Sequence, residues 1–174
     1  MEFNNLVAAG AMVLLVFTLL LIAHARAHFR CQREYTQIIQ AAVSAVTPEM
    51  LAERRPVVIE DRLVGDPAES LARTVFRWQH VRRRAATPCR LDAFTHTRAR
   101  FTLLYFEAPT AADPSVVIRP REGDDDGDGI AVVLAVGRVL VLPPGWRFLP
   151  LASNCRSVEI DDVFSALFSM LTPR

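Results

Sequence analysis

VLAVGRVLVLPPGWRF, Val133 to Phe148, sets two apolar strand-forming runs beside two places where the chain must turn. Gly137 permits a tight reversal between the runs, because a residue without Cβ enters left-handed backbone without a steric cost. Pro143-Pro144-Gly145 then bends the chain at a corner, and Trp146 follows with a ring large enough to fill the mouth or core of a β structure. Outward from this stretch the same grammar repeats. Val57-Val58-Ile59, Thr74 to Val81, Phe101 to Phe106, Val116 to Ile118, Ile130 to Val136, Val139 to Leu142, Arg147 to Leu149 and Ser157 to Ile160 read as short strands. Asp113-Pro114, the Gly123 to Gly129 loop and Gly137 punctuate them. Many short strands between turn signals indicate a β-sandwich or a small barrel. Asp66-Pro67-Ala68-Glu69 starts a short helix that ends near Arg73, with Asp as cap, Pro at the first position and Glu closing a capping box. Asp161 or Asp162 caps a closing helix with Val163, Phe164, Leu167, Phe168 and Leu171 on one apolar face.

The chain opens differently. Leu6 to Ala23, LVAAGAMVLLVFTLLLIA, is eighteen residues without a charge. As a helix it would rise about 27 Å, close to the hydrocarbon thickness of a bilayer. Asn4 and Asn5 are candidate caps, and Leu6, Val13, Leu14, Leu15, Phe17, Leu20 and Ile22 are the anchoring side chains. A cleaved signal peptide is the rival, but the residues before the run carry Glu2 and no Arg, and the run is longer than a usual signal core. A retained, single-pass anchor is therefore expected. Arg26, Arg30 and Arg33 all follow it, which places the rest of the chain on the cytoplasmic side. Tyr35, Ile38, Ile39, Ala42, Val43 and Val46 recur at helical spacing, so a helical stalk is expected to continue until Thr47-Pro48 stops it. The expected organisation is an anchor over 1–25, a stalk over 26–48 and a β domain with its closing helix over 49–174.

Composition narrows the function. The formal net charge is +1, and all 20 basic residues are Arg. Charge is segregated: between Arg73 and Arg100 lie eight Arg and one Asp, and between Glu107 and Asp128 seven carboxylates and two Arg. The Arg82-Arg83-Arg84 cluster suits phosphates, lipid headgroups or an acidic protein patch, or is a solvated loop. With Phe164 and Phe168 it forms the candidate partner-binding set. No aromatic-interleaved or helix-turn-helix pattern accompanies the Arg, so nucleic acid is not an expected partner. Gly123 to Gly129, GDDDGDG, imitates the start of a calcium loop, but Ala135 occupies the place of the bidentate Glu, and a solvated acidic hairpin loop is expected. Cys31, Cys89 and Cys155 are too few and too scattered for a disulfide framework. Cys89 and Cys155 could form one bridge; free thiols in a reducing compartment are the alternative. Neither His80 nor His96 has a carboxylate at ligand spacing, so no metal or other cofactor is expected. No nucleophile elbow, phosphate loop or dinucleotide fingerprint occurs, and no catalytic residue is assigned.

The order strand, Gly turn, strand, Pro-Pro-Gly bend and Trp in residues 133–148 resembles the second half of a cupin or JmjC-like β-helix. In metal-dependent members a His follows the Trp; here Arg147-Phe148 stands there, and the earlier His-x-Asp/Glu pair is missing. An N-terminal anchor followed by a domain with this bend is similar to membrane-anchored, cupin-like proteins of large icosahedral DNA viruses. The match covers the anchor and about twenty residues around Pro143, Pro144, Gly145 and Trp146. The resemblance implies a cupin-like or jelly-roll domain without a metal. It further implies a non-enzymatic minor capsid or linking protein between an internal membrane and the capsid shell, with lipid, capsid proteins and further copies of itself as partners. A membrane-tethered adaptor that binds a partner protein, or a cupin-like enzyme with an atypical site, are the alternatives.

Overall fold

A computed structural model describes residues 2–29, 37–63, 65–75, 82–83, 85–97, 99–107, 114–120 and 129–161. The chain divides into two units, residues 1–30 and 31–174. The first is a single helix, α1 (Glu2–Phe29), 28 residues long. Asn4 and Asn5 lie inside its first turns rather than in front of it, and the helix runs past the expected boundary at residue 25. Its described side chains, residues 7–23, are apolar apart from Thr18, whose hydroxyl donates to the Leu14 carbonyl at 2.8 Å, and nearly all are exposed, from Val7 to Phe17, Leu20 and Ile22. They cover about 25 Å of helix at ~1.5 Å per residue. Among the described residues no helix is long and apolar enough to cross a membrane.

The second unit is built on two sheets. The larger has the strand order β1 (Ile39–Ala41), β2 (Val57–Ile59), β9 (Val139–Leu142), β6 (Phe101–Phe106), β11 (Cys155–Asp161) and β3 (Arg82–Arg83), with β4 (Thr87–Pro88) also on β11. The smaller has the order β5 (Thr95–His96), β10 (Trp146–Pro150), β7 (Ser115–Pro120) and β8 (Ile130–Val133). Among the described residues only β1 with β2 is parallel; the other pairings are antiparallel.

Burial explains the sequence patterns strand by strand. In β6 and β9 every residue is buried, because the larger sheet is covered on both faces. On its inner face Val58, Leu104, Phe106, Leu140, Leu142 and Cys155 pack with Val116, Ile118, Val132, Trp146 and Phe148 of the smaller sheet. On its outer face Val57, Ile59, Leu103, Val141, Val158 and Ile160 pack with Leu51, Leu71 and Val75. Those last three belong to α2 (Pro48–Ala52), α3 (Pro67–Thr74) and the turn after α3. Among the described residues the smaller sheet is covered on one face only, and β8 and β10 alternate buried with more exposed residues, as a half-buried strand should. The result is a mainly β sandwich with a helical layer over one sheet.

Several expectations change. The apolar run from Ile38 to Val46 is not a helical stalk: it forms β1 and a 3-10 turn, Val43–Ala45. Four of its nine residues, Ile38, Ile39, Val43 and Val46, are β-branched, and β2 offers the run a ladder in register, Ile39 opposite Val57 and Ala41 opposite Ile59. Asp61 then accepts a hydrogen bond from the Val43 N–H. Thr47-Pro48 does not stop a helix but starts α2: Thr47 Oγ1 accepts from the Met50 N–H at 3.3 Å, with Pro48 at the first helical position. The helix expected from Asp66 is α3, with Pro67 first and the Ser70 N–H on the Asp66 carbonyl. Thr74 is the last residue of α3 and not the start of a strand; residues 76–81 lie outside the described residues. The strand from Ile130 ends at Val133. Asp161 is the last residue of β11, and the helix expected to start at Asp161 or Asp162 lies outside the described residues. The closing helix, with Phe164 and Phe168, and the acidic loop over 123–128 also lie outside the described residues.

Candidate functional site

The Pro-Pro-Gly bend is the best-fixed corner of the sandwich. Gly145 has φ +89°, left-handed backbone that favours glycine, and Pro143, Pro144 and Trp146 around it are buried. A bend of buried backbone leaves polar groups to satisfy, and Thr97 supplies them. The Trp146 N–H donates to Thr97 Oγ1 at 3.0 Å. The Thr97 N–H donates to the Trp146 carbonyl at 2.9 Å. The Thr97 hydroxyl stands 2.9 Å from both the Pro143 and the Trp146 carbonyl oxygens and, with one proton, donates to one of them at a time. Trp146 itself is 1% exposed and sits in the core between the sheets. Among the described residues its indole N–H has no hydrogen-bond partner.

A strap crosses one end of the sandwich. Residues 87–96 leave the larger sheet at β4 and join the smaller one at β5. On β11 the strap is held by the β4 ladder, Thr87 opposite Ser157, by the two hydroxyls of that pair at 3.1 Å, and by the Cys89 N–H on the Cys155 carbonyl at 3.1 Å. On the smaller sheet it pairs with β10, His96 opposite Arg147, and the Arg119 guanidinium of β7 stacks 4.9 Å from the Phe94 ring centre. Arg90 is committed within the strap: its Nε and Nη2 donate to the two oxygens of Asp92 at 3.1 and 2.8 Å. That hydrogen bonding holds the Asp92 carboxyl below its ordinary range.

Beneath the strap lies a cavity of about 240 Å³. Strand periodicity explains its polar lining. Ser157 and Glu159 share the inward face of β11 with Cys155, and Thr102 shares that of β6 with Leu104 and Phe106. The core therefore changes from apolar at one end to Thr102, Ser157 and Glu159 at the other, with Phe148 as an aromatic wall and His96 and Cys89 coming from the strap. Glu159 is directly opposite Thr102 in the ladder. Thr102 is 3% exposed, and among the described residues its hydroxyl has no hydrogen-bond partner. Buried and left unpaired, such a group costs about 1–3 kcal/mol. Beside this, Asp161 Oδ1 accepts from the Arg100 N–H at 3.3 Å.

Cys89 and Cys155 meet at the edge of the same cavity. Both are free thiols, with Sγ atoms 3.0 Å apart, and Cys155 is 1% exposed while Cys89 is half-buried. The two thiols share one hydrogen bond. In the neutral pair the Cys89 S–H donates to Cys155 Sγ. When Cys89 is ionised the Cys155 S–H turns to it, and that bond pulls the Cys89 thiol below its ordinary range, helped by Ser157 and the Arg156 guanidinium and opposed by burial. The Cys155 thiol is pushed up, first by its bond to Cys89 and then by burial.

The residues singled out from sequence fall in different places. Pro143, Pro144, Gly145 and Trp146 lie together at one corner. Arg82 and Arg83 are in β3, opposite Asp161 and Ile160, rather than in a loop; Arg84 is outside the described residues. The anchor residues Val13, Leu14, Leu15, Phe17, Leu20 and Ile22 are exposed on α1; the Leu6 side chain is outside the described set. Sequence reading missed Thr97, Thr102 and Glu159. No spacing motif marks them, since the ladder alone brings them together. Among the described residues no group of three or more His, Cys, Asp or Glu side chains is placed to hold a metal ion.

No family model and no curated protein matches the chain. Among solved structures it is similar to RmlC from Streptococcus suis, determined in complex with dTDP-D-xylose, at 13% identity and a TM-score of 0.31. That similarity covers 62% of this chain and 61% of the other.

Proposed function

We propose that this protein is a single-pass, membrane-anchored structural protein whose cupin-like β domain works by holding other structures in place rather than by catalysis. The observation that carries the reading is α1. Ten large apolar side chains on its described length, from Val7 to Ile22, are exposed. At roughly 1.5–3 kcal/mol for each such side chain left in water, covering them is worth roughly 15–30 kcal/mol. A folded domain has a net stability of only about 5–15 kcal/mol, so α1 needs a cover of its own. The described part of α1 falls short of a full crossing, and the proposal rests on the whole charge-free run from Leu6 to Ala23 in the sequence, which suits lipid. The Arg residues that follow favour a cytoplasmic β domain. A cytoplasmic domain on a membrane taken into a virus particle would face the shell, which makes a capsid-to-membrane linker the specific form of the proposal.

The test is extraction. Expressed whole, the protein should stay with membranes through an alkaline wash and leave them only in detergent, and a chain lacking residues 1–25 should be soluble and should not join particles. Release of the whole chain by the alkaline wash would refute the anchor; normal incorporation of the truncated form would refute the linking role. One observation favours a second reading: the polar cavity with Thr102, Glu159 and His96 fits a small ligand and thus an atypical enzyme or binding module. A stoichiometric small molecule or transition metal in native mass spectra of the purified protein would replace the first reading with the second.

A further inference from the structure

We propose that Cys89 and Cys155 are a redox modification site: reaction with a small-molecule disulfide joins them and latches the strap, residues 87–96, onto β11. Their Sγ atoms are already 3.0 Å apart, so a bond of ~2.05 Å needs a movement of about 1 Å. The backbone is in place on both sides, through the Cys89 N–H on the Cys155 carbonyl and the neighbouring β4 ladder, so the bond forms without remodelling the sheet. The pair is also asymmetric in the way the chemistry requires. Cys89 lies on the wall of an open cavity and is reachable, whereas Cys155 is 1% exposed and reachable only by Cys89. The Cys155 S–H, the Ser157 hydroxyl and Arg156 all favour the Cys89 thiolate, which is the attacking form.

The electrons balance in two exchanges. The Cys89 thiolate attacks one sulfur of R–S–S–R; that bond breaks, a mixed disulfide forms, and the departing thiolate takes up a proton as RSH. Cys155 then gives up its proton and attacks Sγ of Cys89, expelling the second thiolate, which also leaves as RSH. The protein loses two protons and two electrons, and the external disulfide gains both. The strap spans both sheets over the cavity, so the new bond fixes the one segment whose lifting would open that end of the sandwich.

The full chain carrying Cys31→Ser, in mild detergent, is equilibrated with excess glutathione disulfide. Peptide mass mapping should give one linked Cys89–Cys155 peptide pair, lighter by two hydrogens and restored by dithiothreitol. Cys155→Ser should hold glutathione on Cys89, and Cys89→Ser should leave Cys155 unmodified. Oxidation should slow amide exchange of residues 87–96 by about ten-fold or more. The closed loop is long enough for a rise in Tm of about 10 °C. A pair that stays reduced, glutathione appearing on Cys155 as fast as on Cys89, or an oxidised pair with unchanged strap exchange would each overturn the proposal. If Cys155→Ser does not fold, Cys155→Ala takes its place, and the link in the protein with both cysteines decides.

Discussion

Thr97→Val is the sharpest test of how the Pro-Pro-Gly corner is held. Valine keeps the shape of threonine and removes only the hydroxyl. In its absence the Trp146 N–H loses its acceptor at 3.0 Å, and the Pro143 carbonyl loses its donor at 2.9 Å, both in buried surroundings. The Trp146 carbonyl keeps the Thr97 backbone N–H, so it is not orphaned. A buried polar group left unpaired costs about 1–3 kcal/mol, which gives about 2–6 kcal/mol for the two together. Near 3 °C per kcal/mol for a unit of this size, that is a fall in Tm of roughly 6–18 °C. The measurement is urea and thermal unfolding of the full chain in detergent, followed by tryptophan fluorescence. Thr97→Ser supplies the control: it keeps the hydroxyl, loses one methyl and should cost about 1 kcal/mol. The reasoning fails if the valine variant is within about 0.5 kcal/mol of the parent, or if serine is as damaging as valine.

Trp146→Ala should destabilise the β unit by about 3–5 kcal/mol, because the ring is buried between the sheets; an unchanged unfolding midpoint would remove the bend from the core. Gly137→Ala should cost about 1–2 kcal/mol in the same assay, since φ is +89° and the added Cβ would lie 2.6 Å from Arg62 Cγ; a stabilised variant would contradict the left-handed turn. Alkylation of Cys89 should persist to lower pH than for an ordinary thiol, because a depressed pKa keeps the thiolate present as pH falls. Replacing Cys155 with Ala should move that rate profile back up in pH, and a profile that does not move would show that Cys155 is not the donor.

The strands buried on both faces were the easiest to read. FTLLYF and VLVL have no polar alternation to confuse with a helix, and β6 and β9 match the expected bounds residue for residue. The bend was legible for the same reason, since Gly137 and Gly145 take the left-handed backbone that only their composition announced. β4 and β5 were not legible, for each is two residues long and exists because β11 and β10 offer an edge. The run from Ile38 to Val46 satisfied a helical period by chance, and its pairing with β2 prevailed over that period. The polar cavity depends on which face of β6 and β11 turns inward, a matter of register that no local spacing records.

The double cover of the larger sheet bears on how the chain survives its own synthesis. β6 and β9 are charge-free, β-prone segments of the kind that stack into fibrils when bared. Their outer cover comes from α2, α3 and the turn after it, all of which precede them in the sequence and leave the ribosome first. The shielding helices are thus on hand before the sticky strands emerge. A rearranged chain that emitted residues 101–161 ahead of 48–75 would be expected to precipitate from a cell-free translation in which the natural order stays dispersed.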